Sequence, residues 1–163
     1  MRPAADEAQR SFTTELQIRW SDCDPAGRVY YPNYFTLFET ALFAFMEARG
    51  RTWPALMRDH GLGFPRVEAR CRYLGPAATG DRLRVTLRVL EVRARGLTIG
   101  FDIAHADGRA VAAGQVGFVA IALDPTLPPQ AIELPAEVRE LFASITPAAR
   151  DADNSSSGSP DPR

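Results

Sequence analysis

Between Arg82 and Val89 the chain alternates without a break, Leu83, Val85, Leu87 and Val89 falling between Arg82, Arg84, Thr86 and Arg88. A period of two marks a strand with one face in the core and the other in water. A shorter alternation over Thr13 to Trp20 sets Leu16, Ile18 and Trp20 against Gln17 and Arg19 and predicts a first strand. Further strands are predicted from about Pro65 to Tyr73, from Leu97 to His105 and from Val111 to Leu123, the last two joined through Asp107-Gly108, a strong hairpin dipeptide. The returning strand carries Ala112, Gly114, Ala120 and Ala122, small side chains that allow another element to approach closely.

One segment breaks the period-two pattern. After Tyr31-Pro32-Asn33-Tyr34 the chain runs to Ala48 with helical spacing and stops at Gly50. Proline suits a first helical turn and glycine the position just past the last. At about 100° per residue, Thr36, Glu39, Thr40 and Glu47 share a narrow sector, while Phe35, Leu37, Phe38, Ala41, Leu42, Phe45 and Met46 cover most of the rest. Such a helix needs cover on most sides, and one sheet covers one side only, so a second subunit is expected to complete the burial. Shorter helices are predicted over Thr52–His60 and Pro135–Ile145. The expected architecture is an α+β domain: a largely antiparallel sheet of about five strands around one long helix, oligomeric, without internal repeats.

At 163 residues the chain has room for one domain, expected over residues 12–145, after a flexible N-terminus at 1–11 and before a Ser/Asp/Pro/Gly-rich tail at 146–163 expected to be disordered. Nineteen basic and twenty acidic side chains leave a formal charge of −1, with none of the basic excess that drives nucleic-acid binding. Every basic residue is Arg, so neither Schiff-base chemistry nor a phosphate-loop Lys is available. His60, His105, Cys23 and Cys71 match no zinc spacing, and no metal or cofactor is expected. No stretch approaches a membrane span and the polar opening residues do not form a signal peptide, so a cytoplasmic location is expected.

The chemistry concentrates in Asp22-Cys23-Asp24-Pro25-Ala26-Gly27, a loop between the first strand and the long helix. The amino end of a helix offers unpaired N–H groups and partial positive charge, suited to a carbonyl oxygen becoming an oxyanion. Asp24 could attack an activated carbonyl or activate water while the amide near Tyr31 polarises that carbonyl. The plainer reading is that an Asp before Pro shapes a turn. Asp22 is expected to order the loop through backbone hydrogen bonds, Cys23 to be a structural thiol, and His60 and His105 to be structural imidazoles. Without a G-x-S-x-G elbow, a serine triad is not indicated.

The run Trp20-Ser21-Asp22-Cys23-Asp24-Pro25-Ala26-Gly27-Arg28-Val29-Tyr30-Tyr31-Pro32-Asn33-Tyr34 resembles the active-site segment of the 4-hydroxybenzoyl-CoA thioesterases, a branch of the hotdog-fold acyl-CoA thioesterases. The likeness extends from about Phe12 to Ile145, including the approach at Gly61–Pro65 and the ending Ile132-Glu133-Leu134-Pro135. It implies a hotdog dimer, commonly paired into a tetramer, with each active site at a subunit interface. Asp24 would be the catalytic carboxylate and the Tyr31 amide would face the thioester oxygen. The resemblance also places phosphate-binding residues in Glu91-Val92-Arg93-Ala94-Arg95-Gly96; Arg93 and Arg95 match, whereas Ala94 replaces a basic residue. On chemistry alone these two guanidiniums suit nucleotide phosphates or the solvated end of a strand pair.

The expected activity is hydrolysis of a coenzyme A thioester, with an aromatic acyl group such as benzoyl or hydroxybenzoyl, coenzyme A being part of the substrate. Glu39, near the edge of the polar sector, is a candidate for shaping the pocket, since in related branches a helix carboxylate does so or acts as base. Phe35, Phe38, Phe64 and the strand Glu68–Tyr73 are candidate walls. The alternatives are a short-chain aliphatic or Tol–Pal-associated thioesterase and a non-catalytic acyl-CoA-binding protein. A hydratase lacks the expected Asp/His pairing near Asp24.

Overall fold

The structure is a computed structural model that describes residues 10–124, 126 and 128–146; the expectations for residues 1–9 and for the tail beyond Thr146 lie outside them. Its elements in chain order are β1 (Phe12–Gln17), α1 (Asn33–Ala48), α2 (Trp53–His60), β2 (Leu62–Gly63), β3 (Arg66–Tyr73), β4 (Arg82–Val92), β5 (Gly96–His105), β6 (Ala110–Val119), β7 (Ile121–Ala122) and α3 (Ala136–Ala143). Five strands form one sheet in the order β1-β4-β5-β6-β3, every neighbouring pair antiparallel, and β2 and β7 form a separate two-stranded ribbon. Only β4, β5 and β6 follow one another as a meander, because β3 lies at the far edge beside β6.

The long helix crosses one face of this sheet. Tyr34, Leu37, Phe38, Ala41, Leu42, Phe45 and Met46 of α1 are buried, and they meet the apolar alternation of β4 (Leu83, Val85, Leu87 and Val89) together with Ile99, Phe101 and Ile103 of β5. Phe38 stacks on Phe101 with ring centroids 4.6 Å apart. Gly114 of β6 makes room for that ring, since a Cβ there would lie 2.6 Å from Phe38 Cε2. The small-residue face of the returning strand thus serves the close approach that its composition suggests. Phe38 itself is fully buried core rather than pocket wall. Thr36, Thr40, Phe43 and Glu47 form the exposed stripe of α1, a narrower opening than the helix's composition implies.

Two predicted strands end early. β1 stops at Gln17; Ile18 is still buried, but Trp20 starts a 3-10 turn and is 84% exposed. The last strand breaks at Ala120, whose N–H donates to Arg95 O and whose carbonyl accepts from Ile132 N, so that β7 leaves β6 and pairs with β2. The second helix begins after Thr52, whose hydroxyl accepts from Ala55 N, and ends at Gly61 in the left-handed region at φ 63°.

β4 and β5 are joined by a tight turn in which Arg93 N donates to Gly96 O. A Cβ on Gly96 would sit 2.2 Å from Phe118 O, inside the β5–β6 ladder. Gly96→Ala is therefore expected to cost about 1–3 kcal/mol of stability, measured by urea unfolding.

Candidate active site

The loop from Asp22 to Tyr30 is a small hairpin. Tyr30 N donates to Asp22 O, Cys23 bridges Val29, and Asp24 N donates to Arg28 O. Gly27 N returns to Asp24 O, with Gly27 at φ 74°. Pro25, Ala26 and Gly27 thus make a tight turn followed by a left-handed glycine, the chemistry their order demands. Asp24 stands at the head of this turn. Its Oδ1 accepts from Ala26 N at 2.9 Å and from Arg28 N at 3.3 Å, while Oδ2 has no protein donor among the described residues. The turn-forming and chemical readings of Asp24 are therefore compatible: one oxygen fixes the rotamer and the other remains available.

Asp22 does the ordering work expected of it. Its Oδ2 accepts from Arg19 N at 2.7 Å and its carbonyl accepts from Asn33 Nδ2 at 2.9 Å, fastening the loop to the first residue of α1. Asp22→Ala removes the acceptor of the Arg19 amide, which water still reaches, and is expected to cost about 1 kcal/mol, read from the urea midpoint. Cys23 is engaged through Thr79 Oγ1 at 3.3 Å, consistent with a structural thiol. Burial pushes the Cys71 thiol above its ordinary range, leaving less thiolate to react.

Tyr31 precedes the first turn of α1, whose cap is Pro32. The N–H groups of Tyr30 and Asn33 are both used within the loop, but that of Tyr31 has no acceptor among the described residues. An unpaired amide at the positive end of a 16-residue helix is a ready donor to a developing oxyanion. The Tyr31 carbonyl is pinned by Tyr73 Oη at 3.2 Å, and the Tyr31 ring meets those of Tyr30 and Tyr73 edge-on. Tyr31 and Tyr73 are both about half exposed or more, so this end of the site lies open at the surface.

Glu39 lies farther along the helix. Its carboxylate accepts from one edge of the Arg66 guanidinium, Nε to Oε1 at 2.9 Å and Nη2 to Oε2 at 2.5 Å, and Arg66 Nη1 donates to Phe64 O at 2.8 Å. The guanidinium also lies over Phe118 at 4.5 Å and near Trp53 at 5.7 Å. Beside it opens a cavity of about 400 Å³ lined by Phe43, Trp53, Met57, Phe64 and Arg66 among others. Glu39 and Phe64 are thus brought to one place, with Arg66 between them.

Arg93 and Arg95 lie elsewhere, on the exposed β4–β5 turn. Arg93 pairs with Glu91 at 2.6 Å, whereas Arg95 has no ion pair among the described residues. Arg139, unmarked by any local pattern, joins them by donating to Ala94 O at 2.7 Å. The two histidines are structural as expected: His60 meets Glu137 at 2.8 Å, tying α2 to α3, and His105 meets Pro76 O at 3.0 Å. No cluster of three metal-ligating side chains occurs among the described residues, and no described helix is long and apolar enough to cross a membrane.

The fold that carries this loop, an antiparallel sheet wrapped about one long helix, has counterparts among known proteins. Residues 18–142 match the model of the thioesterase-like superfamily, so the chain belongs to that superfamily and is a thioester hydrolase of the hotdog fold. It is 28% identical over 141 residues to the 4-hydroxybenzoyl-CoA thioesterase of Pseudomonas sp. strain CBS-3, covering 81% of this chain and 97% of that one. The solved structure of that enzyme superposes with a TM-score of 0.71, at 28% identity over 81% of this chain and 99% of that one. A 1,4-dihydroxy-2-naphthoyl-CoA hydrolase of Rippkaea orientalis is 31% identical over 86 residues, 53% of this chain and 62% of that protein. The structure of a 1,4-dihydroxy-2-naphthoyl-CoA thioesterase from Synechocystis superposes with a TM-score of 0.75, at 25% identity over 82% of this chain and 96% of that one.

Proposed function

We propose that this protein hydrolyses a coenzyme A thioester of an aromatic acid, with Asp24 as the reacting carboxylate and the Tyr31 N–H as the oxyanion donor. The observation that carries the reading is the division of labour within Asp24, Oδ1 bound to two loop amides and Oδ2 without a donor among the described residues, on the same loop as a Tyr31 amide that has no acceptor among them. As the thioester carbon becomes tetrahedral, its oxygen gains charge and the Tyr31 N–H stabilises it. Asp24 Oδ2 either attacks that carbon, expelling coenzyme A thiolate and leaving a mixed anhydride that water cleaves, or removes a proton from attacking water. Either route consumes one water and yields the free acid and coenzyme A, with no further cofactor. The relatives named for 4-hydroxybenzoyl- and 1,4-dihydroxy-2-naphthoyl-CoA favour an aromatic acyl group.

A second subunit enters this reading on geometric grounds. The Asp24 hairpin bonds to Ala77 and Ala78, just before β4, whereas Arg93 follows its far end, about 33 Å away at the usual strand rise. That span exceeds the reach of coenzyme A from its thioester to its ribose phosphate, so Arg93 or Arg95 would serve an active site of another protomer. Strand β3 is an open edge, with Val67, Tyr73 and the following Leu74 all about half exposed. Full-length antiparallel pairing of two such strands would set Arg66 of one protomer opposite Tyr73 of the partner subunit. The Tyr31 loop of each chain, held by its own Tyr73, would then face the other chain's Glu39–Arg66 cavity.

Free-thiol release from benzoyl-, hydroxybenzoyl-, phenylacetyl- and short-chain acyl-CoA tests the acyl assignment. Faster turnover of the aryl thioesters is expected, and preference for short aliphatic chains would overturn the aromatic reading.

A further inference from the structure

Resting on that thioesterase reading and on the β3 pairing that turns the Tyr31 loop of one protomer toward the cavity of the other, we propose that Arg66, held by Glu39, is a specificity-determining residue that reads a polar substituent on the ring of the acyl group. Alternation along β3 would turn Arg66 to the outer face of the sheet with Glu68, Arg70 and Arg72. The structure turns it the other way. A bulge at Val67 lets Arg66 pair with Phe118 while Glu68 pairs with Gly117, one residue of register being absorbed between them. The side chain is thereby re-aimed under α1, as bulges beside functional sites commonly do.

The guanidinium is then over-determined: two bonds to Glu39, one to Phe64 O, and aromatic rings of Phe118 and Trp53 against its plane. Of its five N–H groups, three are used in these bonds and two remain to serve a ligand. The pair is accessible, with Arg66 and Glu39 side chains 35% and 31% exposed, and Arg66 lines the roughly 400 Å³ cavity. That volume lies within the usual range for small-molecule pockets, and aromatic walls from Phe43, Trp53 and Phe64 favour a flat ring.

The charge of the pair narrows the substituent. Glu39 neutralises Arg66, so an acyl group carrying its own carboxylate would meet repulsion from Glu39. A hydroxyl is complementary, accepting from a spare Arg66 N–H while donating to a Glu39 oxygen. A methoxy group offers only the acceptor, and an unsubstituted ring leaves the spare N–H groups unpaired. The expected preference is therefore hydroxyaryl over methoxyaryl over unsubstituted aryl.

The test compares kcat/KM for 4-hydroxybenzoyl-, 4-methoxybenzoyl- and benzoyl-CoA in wild type, Arg66→Met and Glu39→Gln. Wild type is expected to favour the hydroxylated substrate over benzoyl-CoA by about tenfold or more, and Arg66→Met to bring that ratio to within about twofold of unity. Glu39→Gln, which keeps the side-chain shape and so guards against loss of fold in the Arg66 variant, leaves one neutral acceptor oxygen in place of the carboxylate and is expected to cut the advantage of hydroxyl over methoxy by about threefold or more. Benzoyl-CoA turnover with the same hydroxyl preference in all three proteins would overturn the Arg66 assignment alone. Absence of turnover of any aryl or short-chain thioester by wild type would overturn the thioesterase reading and this inference with it.

Discussion

Asp24→Asn is expected to lower kcat for aryl-CoA hydrolysis by about 10³-fold while changing KM by less than about threefold. The amide keeps an oxygen to accept from Ala26 N and Arg28 N, so the turn survives. What disappears is the negative charge on Oδ2, the atom without a donor among the described residues, and with it both nucleophilic attack and proton abstraction from water. An effect confined to kcat marks an interaction made in the transition state, whereas a rise in KM alone would mark Asp24 as a binding residue. Steady-state thiol release with both proteins across a substrate series separates the two.

The second large effect concerns stability. Phe38→Ala is expected to destabilise the protein by about 3–5 kcal/mol, the usual cost of emptying a large aromatic site in a packed core. Phe38 is fully buried, stacked on Phe101, edge-on to Phe35 and seated over Gly114. It fastens the first half of α1 to the sheet, and the Tyr31 amide is positioned by the start of that helix. Urea unfolding should show the loss in the midpoint, and the same variant should lose activity at temperatures where its secondary structure persists. The substitution leaves a cavity in which neither Phe101 nor Gly114 can fill the lost volume.

How much of this was legible beforehand follows from which interactions are local. The alternation of β4 and the apolar run of α1 state their own conformations, because period and caps lie within one segment. The Asp24 turn is equally local: Pro25 and Gly27 demand it, and the adjoining Tyr31-Pro32-Asn33-Tyr34 places it before a helix. Arg66 was not legible. Its pairing with Glu39 depends on a one-residue bulge in β3, and a shift of one residue moves a side chain to the opposite face of a sheet. The early end of β6 had the same origin, since Ala120 is claimed by Arg95 and Ile132, distant in sequence. Arg139 at the Arg93–Arg95 turn likewise depends on where α3 docks. Phe38 is a further case: sequence offers it as one of several candidate walls with Phe35 and Phe64, and only the packing of α1 on the sheet buries it completely.

The most direct test of the central claim is free-thiol release from 4-hydroxybenzoyl-CoA by the purified wild-type protein. One equivalent of coenzyme A should appear for each equivalent of free acid, at a rate proportional to enzyme concentration. Tight binding of the same thioester with no thiol released above the rate in buffer would contradict it, and would make the Asp24 loop a binding site without chemistry.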